Sequence, residues 1–323
     1  MKKNIKKVLL TSAVFVTMLA LSACQADEES GQQAATQPNE QTTEPSEQTT
    51  PAAQLPDMEF NLDGATITSF LGGTADNLFG SSFAQYEGFM DFDYKPGALE
   101  RQIAPPAPGE VYAVIHTSMG EIHARLFPEY APMAVGNFVT HAQNGYFDGL
   151  IFHRVIQDFM IQGGCDQGTG MGGQSIWGSP FANELTTNLR HINGALSMAN
   201  TGHPVSNGSQ FFVVQNHERK PISEFDLQQL TEMQGMPIEE YFGDASNLRP
   251  EILGRTTSDL YPLSFLNHYH NYGGTFHLDF AHTVFGQVFY GMDVVNAIAN
   301  TPATSDRPNE NVYINTVEMR IKD

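Results

Sequence analysis

In the segment from Phe152 to Gly164, FHRVIQDFMIQGG, one cation, Arg154, stands among Phe152, Val155, Ile156, Phe159 and Met160. A guanidinium beside apolar residues can simply snorkel, laying its stem on hydrocarbon and its head in water. It can also act as a permanently charged hydrogen-bond donor to a polar group held in an apolar socket. In an alternating strand Phe152 and Arg154 point to the same side.

Three other sets of residues could do chemistry. His268, His270, His277 and His282 lie close together in sequence, but no paired carboxylate or cysteine stands at the spacing that zinc sites use. Gly168, Gly170 and Gly173 spell GxGxxG, yet no strand–helix–strand unit surrounds them, so dinucleotide binding fails on context. Cys165 has no adjacent Lys, Arg or His to lower its pKa and reads as an inert, partly buried thiol. No metal and no cofactor are expected.

The elements that must position these residues are mostly short strands. Ile122, Ala124 and Leu126 alternate with Glu121, His123 and Arg125 after a turn at Ser118, Met119 and Gly120, which predicts a hairpin with one buried face. Pro132 opens a helix whose face is Val135, Phe138, Val139 and Ala142, and Gly145 stops it. Apolar runs follow at Leu150 to Val155, Phe159 to Gln162, Ala195 to Ala199, Phe211 to Gln215 and Thr283 to Phe289. A second helix from Met292 to Ala299 and a strand from Val312 to Ile321 finish the chain. Many strands with two helices argue an all-β barrel or sandwich. Between His217 and Gly273 the pattern turns helical: Ser223 with Asp226 resembles a capping box, and Phe225, Leu230 and Met233 share a face.

Three segments together, FHRVIQDFMIQGG, LSMANTGHPVSNGSQFFV (Leu196 to Val213) and LDFAHTVFGQV (Leu278 to Val288), resemble the cyclophilin family. GTGMGGQSIWG and NGYFDGLIFHRV extend the likeness, which runs from about Glu110 to the C-terminus apart from an insertion at about 218–261. The resemblance implies an all-β fold, an eight-stranded antiparallel β-barrel capped by two α-helices, with the active groove on its outer wall and a partly helical loop insertion. It implies peptidyl-prolyl cis/trans isomerase activity on proline-containing, unfolded or exported polypeptides. It also places the catalytic arginine at Arg154 and the proline pocket at Phe159, Met160, Phe212, Leu278 and His282. Gln162, Ala199, Asn200, Thr201 and Gln210 fall on the positions that line the peptide groove.

The chemistry suits these residue types. Rotation about a peptide bond meets a barrier of about 18–20 kcal/mol from amide resonance, and no bond breaks. The site therefore needs a socket for a proline ring, polar groups for the flanking backbone, and a donor to the lone pair that the nitrogen gains as it twists. Departures from the family pattern concern the rim. His277 stands where the pattern WLDGKH has tryptophan, which puts tight cyclosporin binding in question; Cys165 replaces the aspartate after Gln-Gly-Gly; and the Gly202 to Asn207 loop is one residue longer.

The remaining sequence predicts delivery. Residues 1–23 carry Lys2, Lys3, Lys6 and Lys7, then an apolar run from Val8 to Leu21 that is too short for a spanning helix of about 20 residues. Leu21, Ser22, Ala23 and Cys24 resemble the bacterial lipobox, so Cys24 is the expected lipidation site. Cleavage would take the formal charge from −20 to −24, twelve cations against 36 acids, which excludes nucleic acid as a partner. Only Cys165 would remain unlipidated, so no intramolecular disulfide is expected. Residues 24–55 are polar, acidic and without aromatics, an expected disordered tether; 56–109 read as an N-terminal extension packed on the main domain, 110–323. The expected location is extracytoplasmic and lipid-anchored, the expected state a monomer. The rival reading is a non-catalytic proline-peptide binding or chaperone module using the same groove.

Overall fold

The protein is described from a computed structural model that covers residues 89–216, 221–242 and 252–323. The leader, Cys24, the tether, residues 56–88 and parts of the insertion lie outside the described residues.

In chain order the elements are β1 (Phe89–Asp91), α1 (Ala98–Ile103), β2 (Val111–Thr117), β3 (Gly120–Leu126), α2 (Pro132–Gln143), β4 (Arg154–Ile156), β5 (Phe159–Gly163), β6 (Phe181–Ala182), β7 (Glu184–Thr186), β8 (Ala195–Met198), β9 (Val205–Asn207) and β10 (Phe211–Gln215). The helical segment follows with α3 (Glu224–Glu232), α4 (Ile238–Phe242), α5 (Thr257–Leu260) and α6 (Leu263–Tyr272). A 3-10 turn (Phe276–Leu278) leads to β11 (Val284–Tyr290), α7 (Met292–Ala299), β12 (Ala303–Thr304), β13 (Arg307–Pro308) and β14 (Ile314–Ile321).

Eight strands form one antiparallel sheet in the order β14, β2, β3, β11, β8, β10, β5, β4. The sheet curls until its edges meet: just before β4 and β14, the Phe152 N–H donates to the Val312 carbonyl and the Ile314 N–H to the Leu150 carbonyl. This closed barrel matches the expected fold class. Period-two alternation sends Val155, Ile161, Leu196, Phe211 and Val213 inward, where Phe138 of α2 meets Phe147, Phe211 and Phe285 at ring separations of 5.2, 5.4 and 5.4 Å. Losing one such ring typically costs about 3–5 kcal/mol.

The two barrel helices are fixed at their starts. Pro132 has no N–H to satisfy at the first position of α2, and the next two, of Met133 and Ala134, donate to the two oxygens of the buried Glu184 carboxylate at 2.9 Å each. Gly291 precedes α7 with φ 88°, and a Cβ there would lie 2.1 Å from the Glu121 carbonyl oxygen. Only glycine fits that approach.

Outside the barrel, β1 pairs in parallel with β7. The Asn188 side chain donates to the Asp93 carbonyl at 3.0 Å and accepts from the Lys95 N–H at 2.7 Å, tying the residues before α1 to the barrel. Phe92 and Leu99 then join Ile192, Ile222, Leu230, Leu260, Phe265 and Tyr269 in a second core. Ser223 caps α3 as expected, its hydroxyl accepting from the Asp226 N–H. The expected face of α3 needs correction: Phe225 is exposed and Leu227 packs inward instead, because the helix is turned toward α6. Helical structure also runs on past 261 to Tyr272, and Leu260 and Tyr261 are buried in the shared core, so excision of 218–261 would open that core rather than trim a loop.

Candidate active site

β4, β5 and β10 lie side by side at one end of the sheet, and their register puts Arg154 opposite Gln162 and Gln162 opposite Phe212. The row continues to Ser197 on β8. Since alternation turns one face of each strand into the barrel, the other face presents Arg154, Met160, Gln162 and Phe212 on the outer wall. These side chains line a groove of about 450 Å³, together with His153, Phe159, Ala199, Asn200, Leu278 and His282. The sequence placed Phe152 and Arg154 on the same side, and this is wrong: Phe152 is fully buried in the barrel while Arg154 lines the groove. β4 begins only at Arg154, so strand alternation does not reach back to Phe152.

The socket has aromatic walls over a packed floor. Phe212 meets His282 edge-on at 5.5 Å, and Met160, Phe212, Val214 and Val284 belong to one buried cluster against which Phe159, Ala199 and Leu278 pack. Burial, and then the neighbouring His191, hold the His282 pKa down to about 4. Its imidazole is neutral near pH 7, with Nδ1 on the Met198 carbonyl at 3.0 Å. His153 is likewise held to about 4, by burial first and then by Arg307 and Arg154.

The polar side of the groove is partly committed to its own structure. Gln162 donates to Gln210 at 2.9 Å, and Gln210 in turn donates to the Gly170 and Gly172 carbonyls at 2.9 and 2.7 Å. Gln210 therefore orients Gln162 beside the groove. The Asn200 side chain, on the groove wall, bonds the Ala281 carbonyl and the Gly202 N–H. Thr201, expected in the groove, is exposed on the loop that follows Asn200, with its N–H given to the Ser206 hydroxyl at 3.1 Å. Arg154 meets Asp306 at 3.4 Å, and both side chains are more than two-fifths exposed. Such an exposed pair is worth about 0–1 kcal/mol, so the guanidinium is oriented without being locked.

Sequence reasoning missed His153, Met171, Asp306 and Arg307 as groove residues. Ser305 and Asp306 take positive φ (50° and 66°) at the tip of the β12–β13 hairpin. Nothing local in the sequence said that this hairpin tip reaches Arg154. Cys165 also differs from its reading: burial raises its pKa, but backbone N–H groups of Thr169, Gly172, Gly170 and Gln167 outweigh that and leave it lowered. Among the described residues the four histidines weighed as a metal set form no metal-holding group; His270 bonds the Ile222 carbonyl and His277 stacks on Phe159 at 5.7 Å.

Behind the socket lies a buried polar network. Asp279, next to the groove residue Leu278, accepts from the Tyr269 hydroxyl at 2.9 and 3.0 Å and from the His191 N–H at 2.9 Å, and its carboxylate pairs with His191 Nδ1 at 3.0 Å and Arg190 at 3.5 Å. The His191 ring stacks on Phe212 at 6.0 Å with 12° between planes.

The described barrel and groove coincide with known sequences. A relative from Staphylococcus aureus (strain COL), assigned as a peptidyl-prolyl cis-trans isomerase, is 42% identical over 212 residues, 65% of this chain and 92% of its own length. One from Staphylococcus saprophyticus with the same assignment is 41% identical over 211 residues, again 65% and 92%. Among solved structures, a Cryptosporidium parvum cyclophilin type peptidyl-prolyl cis-trans isomerase, crystallised in the presence of the dipeptide Ala-Pro, aligns at 25% identity with TM-score 0.46, over 65% of this chain and 98% of that one. The family described as cyclophilin type peptidyl-prolyl cis-trans isomerase/CLD matches residues 112–319. With the match running from β2 into β14, the chain belongs to the cyclophilin-type peptidyl-prolyl cis-trans isomerases.

Proposed function

We propose that this isomerase acts outside the cytoplasmic membrane, anchored through lipid on Cys24, where it turns Xaa-Pro bonds of exported polypeptides and assists their folding. The observation that carries the site assignment is the cross-strand row Arg154, Gln162, Phe212: a cation, an amide and an apolar wall in one line. Met160, Phe212, Leu278 and His282 take the proline ring, with Phe159 at the rim. Gln162 and the backbone of Asn200 hold the flanking carbonyls. As the amide twists, its nitrogen becomes pyramidal and gains a lone pair that the Arg154 guanidinium can meet. That bond is stronger in the twisted state than in either planar isomer, which is the condition for acceleration. His282 is a wall and not a base, because rotation about the bond transfers no proton and burial makes its imidazole a weak proton acceptor, with Nδ1 directed at the Met198 carbonyl.

Isomerisation of a short Ala-Pro peptide tests the assignment. Arg154→Ala should lower kcat/KM by about 10²–10³, comparable to losing an oxyanion-hole donor, with unchanged thermal unfolding; Arg154→Lys should restore part of it, since an ammonium lacks the planar fork. Wild-type rates in folded Arg154→Ala protein would defeat the mechanism, and an inactive wild type would favour a binding module. The anchor is tested separately: Cys24→Ala protein should leave the membrane fraction, because several acyl chains at about 0.8 kcal/mol per buried methylene hold far better than one.

A further inference from the structure

Phe159 borders a second cavity, of about 640 Å³, that the proline socket does not use. One wall is the turn between β4 and β5, with Ile156 and Gln157; the other is made where the helical segment leaves and rejoins the barrel, with Pro221, Phe276 and His277. The two ends of that segment are stapled together, the Asn216 side chain donating to the Gly274 carbonyl at 2.8 Å. Gly274 sits at φ +125°, and a Cβ there would come within 2.6 Å of the His191 carbonyl oxygen, so the return path is tightly set. On the opposite wall the Asp158 N–H is held by Gln215 at 2.8 Å. The cavity is thus preformed, and Pro221 of the insertion forms part of one wall.

Its position fixes what reaches it. Phe159 and His277 stack with centroids 5.7 Å apart and 25° between planes; Phe159 lines both cavities, His277 only the second. An extended chain advances about 3.3 Å per residue and shows alternate side chains on one face, so a side chain two residues from the proline lands about 6.6 Å along, just past the Phe159 ring. Ile156, Phe159, Pro221 and Phe276 offer it mainly hydrocarbon and aromatic surface. We propose that this cavity is a specificity subsite for the same substrate chain, taking a large aromatic or aliphatic side chain two residues from the proline. The proposal rests on the reading of the groove as the proline site.

Peptides of alanine around a single proline, with one Phe placed two residues before or two residues after it, test this on the full-length protein. At one of the two positions Phe should raise kcat/KM roughly ten-fold over alanine, within the range that extra apolar contact in a pocket gives. Gln157→Trp and Pro221→Trp fill the cavity from opposite walls, and in whichever variant retains the wild-type unfolding temperature the Phe-to-Ala ratio should fall toward one. Turnover of the all-alanine peptide with no gain from Phe at either position would overturn the subsite while leaving the proline site standing. A gain that persists in both filled variants would also overturn it, and failure to turn over any peptide would remove the reading of the groove on which it rests.

Discussion

The barrel interior and the second core are both built of buried residues, but they are held by different forces. Inside the barrel, rings such as Phe138, Phe147, Phe211 and Phe285 touch one another, and backbone polar groups are satisfied in the strand ladder. The second core instead wraps Arg190, His191, Asp279 and Tyr269, and the Arg190 guanidinium lies 4.4 Å from the Phe280 ring centroid and donates to the Leu260 carbonyl. A hydrocarbon core loses stability in steps as contacts are removed. A buried charge network fails abruptly, since removing one partner strands the others without solvent. Through Leu278 and Phe212, that second kind of core backs the wall of the groove, so damage to it should reach activity as well as stability.

Asp279→Ala is the strongest test of this contrast. It leaves Arg190 and His191 buried without their carboxylate and should cost about 3–5 kcal/mol in urea unfolding, with a lowered kcat/KM for an Ala-Pro peptide in what remains folded. A cost under about 1 kcal/mol, typical of an exposed pair, would show that the network is not a charge cluster in the sense argued. Tyr269→Phe removes only the hydroxyl that donates to Asp279 at 2.9 and 3.0 Å. It should cost about 1.5–3 kcal/mol, whereas Tyr146→Phe, which breaks a neutral bond to Ser209 at the barrel, should cost about 0.5–1.5 kcal/mol. Equal losses would erase the distinction between the two regions.

Acid should separate the regions least. His141, His153 and His282 are each depressed from 6.5 to about 4, chiefly by burial, so the folded protein keeps them neutral where the unfolded chain takes up protons. Their contribution to stability is complete above 6.5 and is lost as pH falls from there toward 4. Between pH 6 and 8 the turnover of folded enzyme should be flat, because His282 and His153 stay neutral and a guanidinium stays charged. A histidine-like inflection in kcat/KM within that span would return His282 to consideration as a base.

Local pattern made the barrel legible. Alternation at Ile122, Ala124 and Leu126, proline at the start of α2, and the apolar runs that became β5, β8, β10 and β11 each depend on neighbours a few residues away. What escaped depends on distant partners. Glu184 is the buried cap of α2 and Asp306 meets Arg154, each through a partner far away in sequence. Phe225 looked like core because its spacing fitted a helix face, but α6 set which face was covered. The groove positions came from family likeness rather than from local pattern, since Arg154, Gln162 and Phe212 are brought into one row only by strand pairing.

The joining of the barrel's edges sets an order of events during synthesis. β14, the last strand, pairs with β2 across about two hundred residues of sequence, and the segment before it clasps the residues leading to Arg154. A chain delivered N-terminus first cannot make these long-range pairings until β14 is free, and pairings of that kind form slowly. The Asp306 that meets Arg154 also arrives late. A nascent copy therefore carries every groove residue up to His282 and yet has no finished site until Asp306 and β14 have followed and paired.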